Sequence, residues 1–380
     1  MSHSLQAAWA GALATLLLLS ACSHGQEASP AGAASPAGGE PVLNVYNWSD
    51  FIDPAIVRGF EKEYGIKVNY DVYDSNELLE TKLLTGHTSY DVVVPGGSYF
   101  ERGLQAGVFR PLDPSLLSNL KNLDPEAARA AGAYDPEHRY AVPYMWLVTT
   151  GFGYDVDKIA ARAPDAPVHR WRLFFDPAVL ARFQNCGVSV LDSPADVIGS
   201  ALLYLGKDPR GESLPDLEAA EKVLLAMRPY VRFINSSRYI DDLANGDICL
   251  ALGWSGDIGA ARYRAHQAGR TAHIAYSVPE EGALAMVDLL AIPADAPHVR
   301  NAHLFIDYLL RPDVAARNSQ TVRYANSVAA SIPLLSEELR NDAAVYPPPE
   351  SRKLLHPDRP LSQEFTRAMM RVWTRFKTGG

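Results

Sequence analysis

Residues 43–97, LNVYNWSDFIDPAIVRGFEKEYGIKVNYDVYDSNELLETKLLTGHTSYDVVVPGG, alternate short apolar runs with stretches of helical period. Leu43 to Tyr46 reads as a strand, and Asp53 with Pro54 opens a helix whose Ile56, Val57, Phe60 and Tyr64 share one face. Lys67 to Tyr70 reads as the next strand. Ser75 to Thr85 follows as a helix with Leu78, Leu79, Leu83 and Leu84 expected inward and Gly86 just past its end. Tyr90 to Val94 is a buried strand stopped by Pro95-Gly96-Gly97, with Ser98 expected to cap the helix beyond. The order is β-α-β-α-β, one half of an open α/β sheet.

Outward from this stretch, Tyr140 to Gly153 (YAVPYMWLVTTGFG) is extended and aromatic. The alternation then restarts with Gly187 to Leu191, a helix near Pro194 to Leu205, and Ile248 to Leu252, which need a sheet of their own. Ala285 to Ile292 is a later strand, a helix runs from about His298 to Leu310, and the chain after Tyr324 is mostly helical around Pro347-Pro348-Pro349. A chain of 380 residues with 47% apolar content has material for two or more sizeable cores. The expected fold is two α/β lobes joined by more than one crossover, with a ligand cleft between them.

Ahead of Pro41 the sequence does not read as core. Ala7 to Leu19 is a 13-residue apolar run, shorter than the ~20 residues a bilayer span needs, and Leu19-Ser20-Ala21-Cys22 follows it. That ending resembles the lipobox of bacterial lipoproteins, although Met1 to Gln6 lacks the usual Lys or Arg. The expectation is a signal peptide over 1–21, a lipidated Cys22 and a flexible tether through 40, with an ordinary secretory signal or a buried helix as the alternative. Export leaves Cys186, just before the run Gly187 to Leu191, and Cys249, inside the run Ile248 to Leu252, as candidates for a disulfide between neighbouring strands, two free buried thiols being the alternative. Closing that loop of about 60 residues would stabilise by about 4 kcal/mol on a chain-entropy model.

The net charge of −9 argues against a nucleic-acid or anionic-membrane partner, since both need a basic footprint. Catalytic fingerprints are missing as well. Gly151-Phe152-Gly153 lacks the third glycine of a dinucleotide loop, and Gly206-Lys207 has Ala201 where a phosphate loop needs glycine. Gly253-Trp254-Ser255-Gly256-Asp257 ends in Asp where a nucleophile elbow needs Gly, and the His residues are scattered singly. Neither a metal nor a cofactor is expected.

A different constellation follows the predicted strands. Trp48-Ser49-Asp50 comes after the first, Asp192 and Asp196 after Gly187 to Leu191, Trp254 and Asp257 after Ile248 to Leu252, and Asp288 lies in the return strand. Ligands of open α/β sheets bind beyond the carboxyl ends of strands, so these side chains should converge. An indole face attracts ammonium and a carboxylate bonds it with charge assistance, so Trp plus Asp is cation chemistry. Each residue also has a plainer reading: Asp50 or Asp53 as helix cap, Asp192 as cap of the helix at Pro194, Asp288 paired with a buried Arg, Tyr324 as core.

From Leu43 to the C-terminus the chain resembles the periplasmic putrescine-binding proteins of polyamine ABC transporters. The resemblance is carried by Tyr46-Asn47-Trp48-Ser49-Asp50, by Tyr70-Asp71-Val72-Tyr73-Asp74-Ser75-Asn76-Glu77, by Val93-Val94-Pro95 and by Pro143-Tyr144-Met145-Trp146. It continues through Tyr204-Leu205-Gly206-Lys207-Asp208-Pro209, the run Tyr239 to Cys249, and Tyr324-Ala325-Asn326. It implies a type II two-lobed solute-binding fold and a Cys186–Cys249 disulfide. Trp48, Trp254 and Tyr324 would line a diamine, Asp50, Asp257 and Asp288 would hold its ammonium ends, and Ser49 and Ser98 suit the putrescine-type members. Gly96 stands where close relatives have Ser, Asp196 replaces Glu, Met286 replaces Phe and Phe51 replaces Tyr.

The expected division is lobe 1 from 41–144 with about 274–324, and lobe 2 from about 145–273 with 325–380. The implied protein is a monomeric, periplasmic, lipid-anchored component that hands putrescine or a similar diamine to an ABC permease. Alternatives are a spermidine-preferring binder, a polyamine sensor, and an enzyme using the carboxylates on glycosides.

Overall fold

The computed structural model describes residues 41–379. The expected signal peptide, the Cys22 lipidation site and the tether through 40 lie outside the described residues. β1 (Val42–Trp48) buries Leu43, Val45 and Asn47 and leaves the alternate residues half-buried, with Tyr46 and Trp48 packed on the second core. α1 (Pro54–Tyr64) starts at Asp53, whose Oδ1 accepts the Ala55 N–H at 2.8 Å, and it stops at Gly65, φ 66°, where a side chain would be strained. β2 (Lys67–Tyr73) lies parallel to β1 at the sheet edge. α2 (Asn76–Thr85), capped by Ser75, buries Leu79 and Leu83 one turn apart. Leu78 and Leu84 flank that stripe and are 56% and 57% exposed, contrary to expectation, because a short helix on a sheet covers only one narrow face.

β3 (Val92–Val93) pairs parallel with β1 on the other side, and α3 (Gly97–Gln105) begins directly after Gly96 with no side-chain cap. Ser98 is therefore inside the first turn and does not act as the expected cap. Next comes β4 (Ala141–Asp155), a 15-residue strand interrupted near Leu147, which sits at φ 54°.

After short helical turns between 156 and 183 come β5 (Val188–Val190), α4 (Pro194–Tyr204) and α5 (Leu214–Met227). β6 (Phe233–Ile234), α6 (Arg238–Asn245), β7 (Leu250–Trp254), α7 (Ser255–Gln267) and β8 (Ile274–Ser277) follow. The chain then returns through β9 (Ala283–Ala291), α8 (Val299–Leu309), α9 (Pro312–Val322), β10 (Ala325–Asn326) and β11 (Leu355–Pro357). α10 (Gln363–Thr378) packs on α4 and α5.

The strand order is β2-β1-β3-β9-β4-β7-β5-β6, and β4 is the shared member. It pairs antiparallel with β9 up to Thr149↔Ala285 and with β7 from Thr150↔Trp254 onward, so consecutive residues serve different halves of the fold. Val92 and Val94 face one apolar core while Val93 faces the other, as a central strand covered on both sides requires. Cys186 and Cys249 precede the parallel neighbours β5 and β7 and form a disulfide with Cα atoms 5.5 Å apart.

Strand pairing departs from the expected lobe division at two places. β8, expected in lobe 1, pairs with the second part of β4 (Asp155↔Ile274). β11, expected in lobe 2, pairs with β9, expected in lobe 1, whereas β10 pairs with Met145 and Trp146 of β4 within the expected lobe 2. These strands are two to four residues long and are placed by partners far away in sequence, so they carry no periodicity of their own.

Candidate ligand-binding cleft

The carboxyl ends of β1 and β7 face each other across the changeover in β4, and between them lies about 760 Å³ of free space including its mouth. Trp48, Ser49 and Phe51 line it from one lobe, Asp196, Trp254 and Asp257 from the other. Met286, Asp288 and Tyr324 close it from the returning segments. Every one of these was singled out by sequence, and the fold brings them together.

At one end Asp257 sits in the first turn of α7, where helix N–H groups favour negative charge. Tyr239 Oη donates to its Oδ2 at 2.6 Å and Tyr324 Oη to its Oδ1 at 2.7 Å. Gly256 makes this possible, since a Cβ there would fall 2.4 Å from the Tyr324 ring. Burial pushes the Asp257 carboxyl up to about 6 despite the two tyrosine hydroxyls that pull it down. Tyr324 is also held edge to face by Phe51, ring centroids 5.0 Å apart.

At the other end Asp288, on β9, is buried and pushed up to about 8. The cause is desolvation, opposed by the Trp48 indole and reinforced by Asp358 and Asp196. Asp196 is raised by burial too, although Ser193 Oγ donates to it at 2.6 Å and Thr150 Oγ1 also donates. Trp48 is fixed by its Nε1–H, which donates to the Val94 carbonyl at 3.0 Å. The two ends are thus separate carboxylate groups joined by aromatic walls.

Three expected contacts are not made. Asp50, at φ 55°, turns out of the cavity and its Oδ1 accepts from Arg264 Nη2 at 2.6 Å, while Arg264 Nη1 holds Asp241 at 2.7 Å. Being spent on a guanidinium of the other lobe, Asp50 is a closing contact rather than an ammonium holder. Gly96 stays behind the wall, and its N–H donates to Asn76 Oδ1 at 2.9 Å. A Cβ at 96 would meet Asn76 Nδ2 at 3.0 Å, so Asn76 occupies the room a Ser there would use. Ser98 is buried, and its N–H donates to Asp358 Oδ2 at 3.3 Å. Asp53 is the helix cap, and Asp192 accepts from Trp373 Nε1 at 3.1 Å, so it is neither cap nor cavity wall.

Sequence reasoning missed several wall residues. Glu77, raised by burial, accepts from Tyr99 Oη at 2.5 Å. Asp74 accepts from Ser49 Oγ at 2.6 Å and from Ser237 Oγ at 2.5 Å, a carboxylate shared by serines of both lobes. Arg210 and Asp358 form a buried ion pair at 2.9 Å. Asp74 and Glu77 lay inside one of the matching segments and could have been found there; Arg210 adjoins another, and Asp358 carries no local signal. Among the described residues no group of three or more His, Cys, Asp or Glu is placed to hold a metal ion.

Comparison with known proteins agrees with this geometry. The model of the family described as bacterial extracellular solute-binding protein matches residues 55–347. The putrescine-binding periplasmic protein PotF of Escherichia coli (strain K12) is 48% identical over 345 residues, 90% of this chain and 93% of that one. The putrescine-binding periplasmic protein SpuD of Pseudomonas aeruginosa (strain UCBPP-PA14) is 46% identical over 352 residues, 92% and 95% of the two chains. A solved structure described as a spermidine/putrescine ABC transporter from Listeria monocytogenes superposes with TM-score 0.80 at 30% identity, covering 89% of this chain and 99% of that one.

Proposed function

The chain belongs to the bacterial extracellular solute-binding protein family, and we propose that it captures putrescine or a near homologue in this cleft and presents it to an ABC permease. The carrying observation is the pair Asp257 and Asp288, buried in one aromatic-walled cavity and each pushed toward protonation by desolvation. A linear dication supplies one ammonium to each, which relieves both at once. Trp48, Trp254 and Tyr324 then face its methylenes and cationic ends. The names of the 48% and 46% identical relatives support the same ligand.

The ligand leaves unchanged in this reading, as the handing-on of a solute requires. Among the described residues no helix is long and apolar enough to cross a membrane. Attachment is assigned to lipid on Cys22: labelled palmitate should enter the wild type and be lost in Cys22→Ala. The function is tested by titrating the purified protein with putrescine, cadaverine, agmatine, spermidine and spermine and recovering the ligand by mass spectrometry. Tight binding with full recovery of putrescine or cadaverine is expected; no binding by any of the five, or turnover of one, overturns the reading.

A further inference from the structure

The Asp288 end of the cavity contains a group that the diamine reading leaves unused, a fixed cation. Arg210 lines the cavity and is 5% exposed, and its Nη2 lies 2.9 Å from Asp358 Oδ1. Its Nε, also buried, has no hydrogen-bond partner among the described residues. Both members of the pair are pinned by their backbones. The Arg210 N–H donates to Asp208 Oδ1 at 2.9 Å, and its carbonyl accepts from Arg359 Nη2 at 2.8 Å. The Asp358 N–H donates to the Ala285 carbonyl at 2.9 Å, and its own carbonyl accepts from Tyr134 Oη at 2.7 Å. Neither can swing aside cheaply.

Electrostatics locate the pair along the cavity. Asp196 feels the charges of both Arg210 and Asp358, and Asp288 feels that of Asp358, whereas Asp257 responds to Asp50 and Arg264. The backbone geometry agrees: Asp358 hangs from the Ala285 carbonyl of β9 and takes the N–H of Ser98, two residues past Gly96, which bridges to Asp288, so Arg210 and Asp358 stand at the Asp288 end of the cavity. A guanidinium keeps its proton at any working pH, and its counter-ion here is already engaged.

On the diamine reading given above, we infer that Arg210 is a specificity-determining residue that limits the cleft to ligands with two cationic ends. A third ammonium reaching past Asp288 meets a like charge in a desolvated wall, with Asp358 taken by Arg210 and by the Ser98 N–H. A diamine stops short of it and is unaffected.

The test is calorimetric titration of the whole purified protein with putrescine and with spermidine. Wild type should prefer putrescine. Arg210→Gln frees Asp358 for an ammonium, so the spermidine-to-putrescine affinity ratio should rise by about tenfold or more. Arg210→Gln leaves a buried carboxylate unpaired, so the double variant Arg210→Met with Asp358→Leu, which orphans no charge, is made beside it. In that variant the ratio should rise by about threefold or more, through lost repulsion alone. An unchanged or falling ratio in a folded variant, or a wild type that prefers spermidine, overturns the length limit. Wild type that binds neither amine overturns the diamine reading instead.

Discussion

Trp48 at the end of β1 and Trp254 at the end of β7 meet edge to face across the cleft, ring centroids 5.7 Å apart and planes at 71°. The rings come from different lobes, so their contact reports closure as well as ligand. Trp254→Ala should weaken putrescine by about 1 to 3 kcal/mol, through lost cation–π attraction and lost ring contact, and Trp254→Phe should recover part of it. Titration calorimetry checks both; an alanine variant that binds as wild type removes Trp254 from the site.

Asp257→Asn keeps the shape between Tyr239 and Tyr324 but deletes the charge. Putrescine affinity should fall by about 1.5 to 3 kcal/mol with the unfolding transition intact, because a charge-assisted bond in a desolvated place is lost. Unchanged affinity would mean that the ammonium sits elsewhere.

The two raised carboxyls give a pH signature. With Asp288 at about 8 and Asp257 at about 6, ligand-free protein at pH 7 holds a proton mostly on Asp288. Ammonium needs both ionised, so binding at pH 7 should release about one proton, and affinity should climb about tenfold per pH unit between 6 and 8 before levelling. Stability without ligand runs the opposite way. Both groups retain protons in the fold that the unfolded chain has already lost, so stability declines as pH rises from about 4 through 8. Titrations in buffers of different ionisation enthalpy read the proton directly, and zero release or net uptake contradicts the assignment.

Asp50→Asn should behave unlike Asp257→Asn. Its carboxylate is 41% exposed and tied to Arg264, so solvent screening keeps the cost of losing it to about 1 kcal/mol or less. If Asp50→Asn costs as much putrescine affinity as Asp257→Asn, then Asp50 contacts the ligand after all.

Replacing both Cys186 and Cys249 by Ala should lower stability by up to about 4 kcal/mol on the chain-entropy model and leave the cleft residues in place. Denaturant melts give the stability change, and putrescine titration at low temperature shows whether the site survives.

The β-α-β-α-β beginning was legible because the apolar period switches cleanly between 2 and 3.6 residues and Asp53-Pro54 and Ser75 mark helix starts. What stayed hidden depends on distant partners. Nothing local distinguishes Leu78 from Leu79 until the sheet beneath is known, and β8, β10 and β11 exist only through strands that receive them. In the cleft, the aromatic and acidic residues after β1 and β7 declared themselves by position. Asp50 misled because a residue next to Trp48 and Ser49 turns away at φ 55° to meet Arg264. Arg210 and Asp358 escaped because neither follows a core strand of its sheet and they are 148 residues apart in the sequence.

Asp358, whose backbone is carried by β11 against β9, supplies part of the cavity wall from late in the chain. The order of synthesis then matters. A nascent chain that has emerged only through Tyr324 holds both tryptophans and Asp257 and Asp288, yet lacks this wall and the α10 helix that packs the second lobe. The cleft is thus completed only by the last segments of the chain to be made.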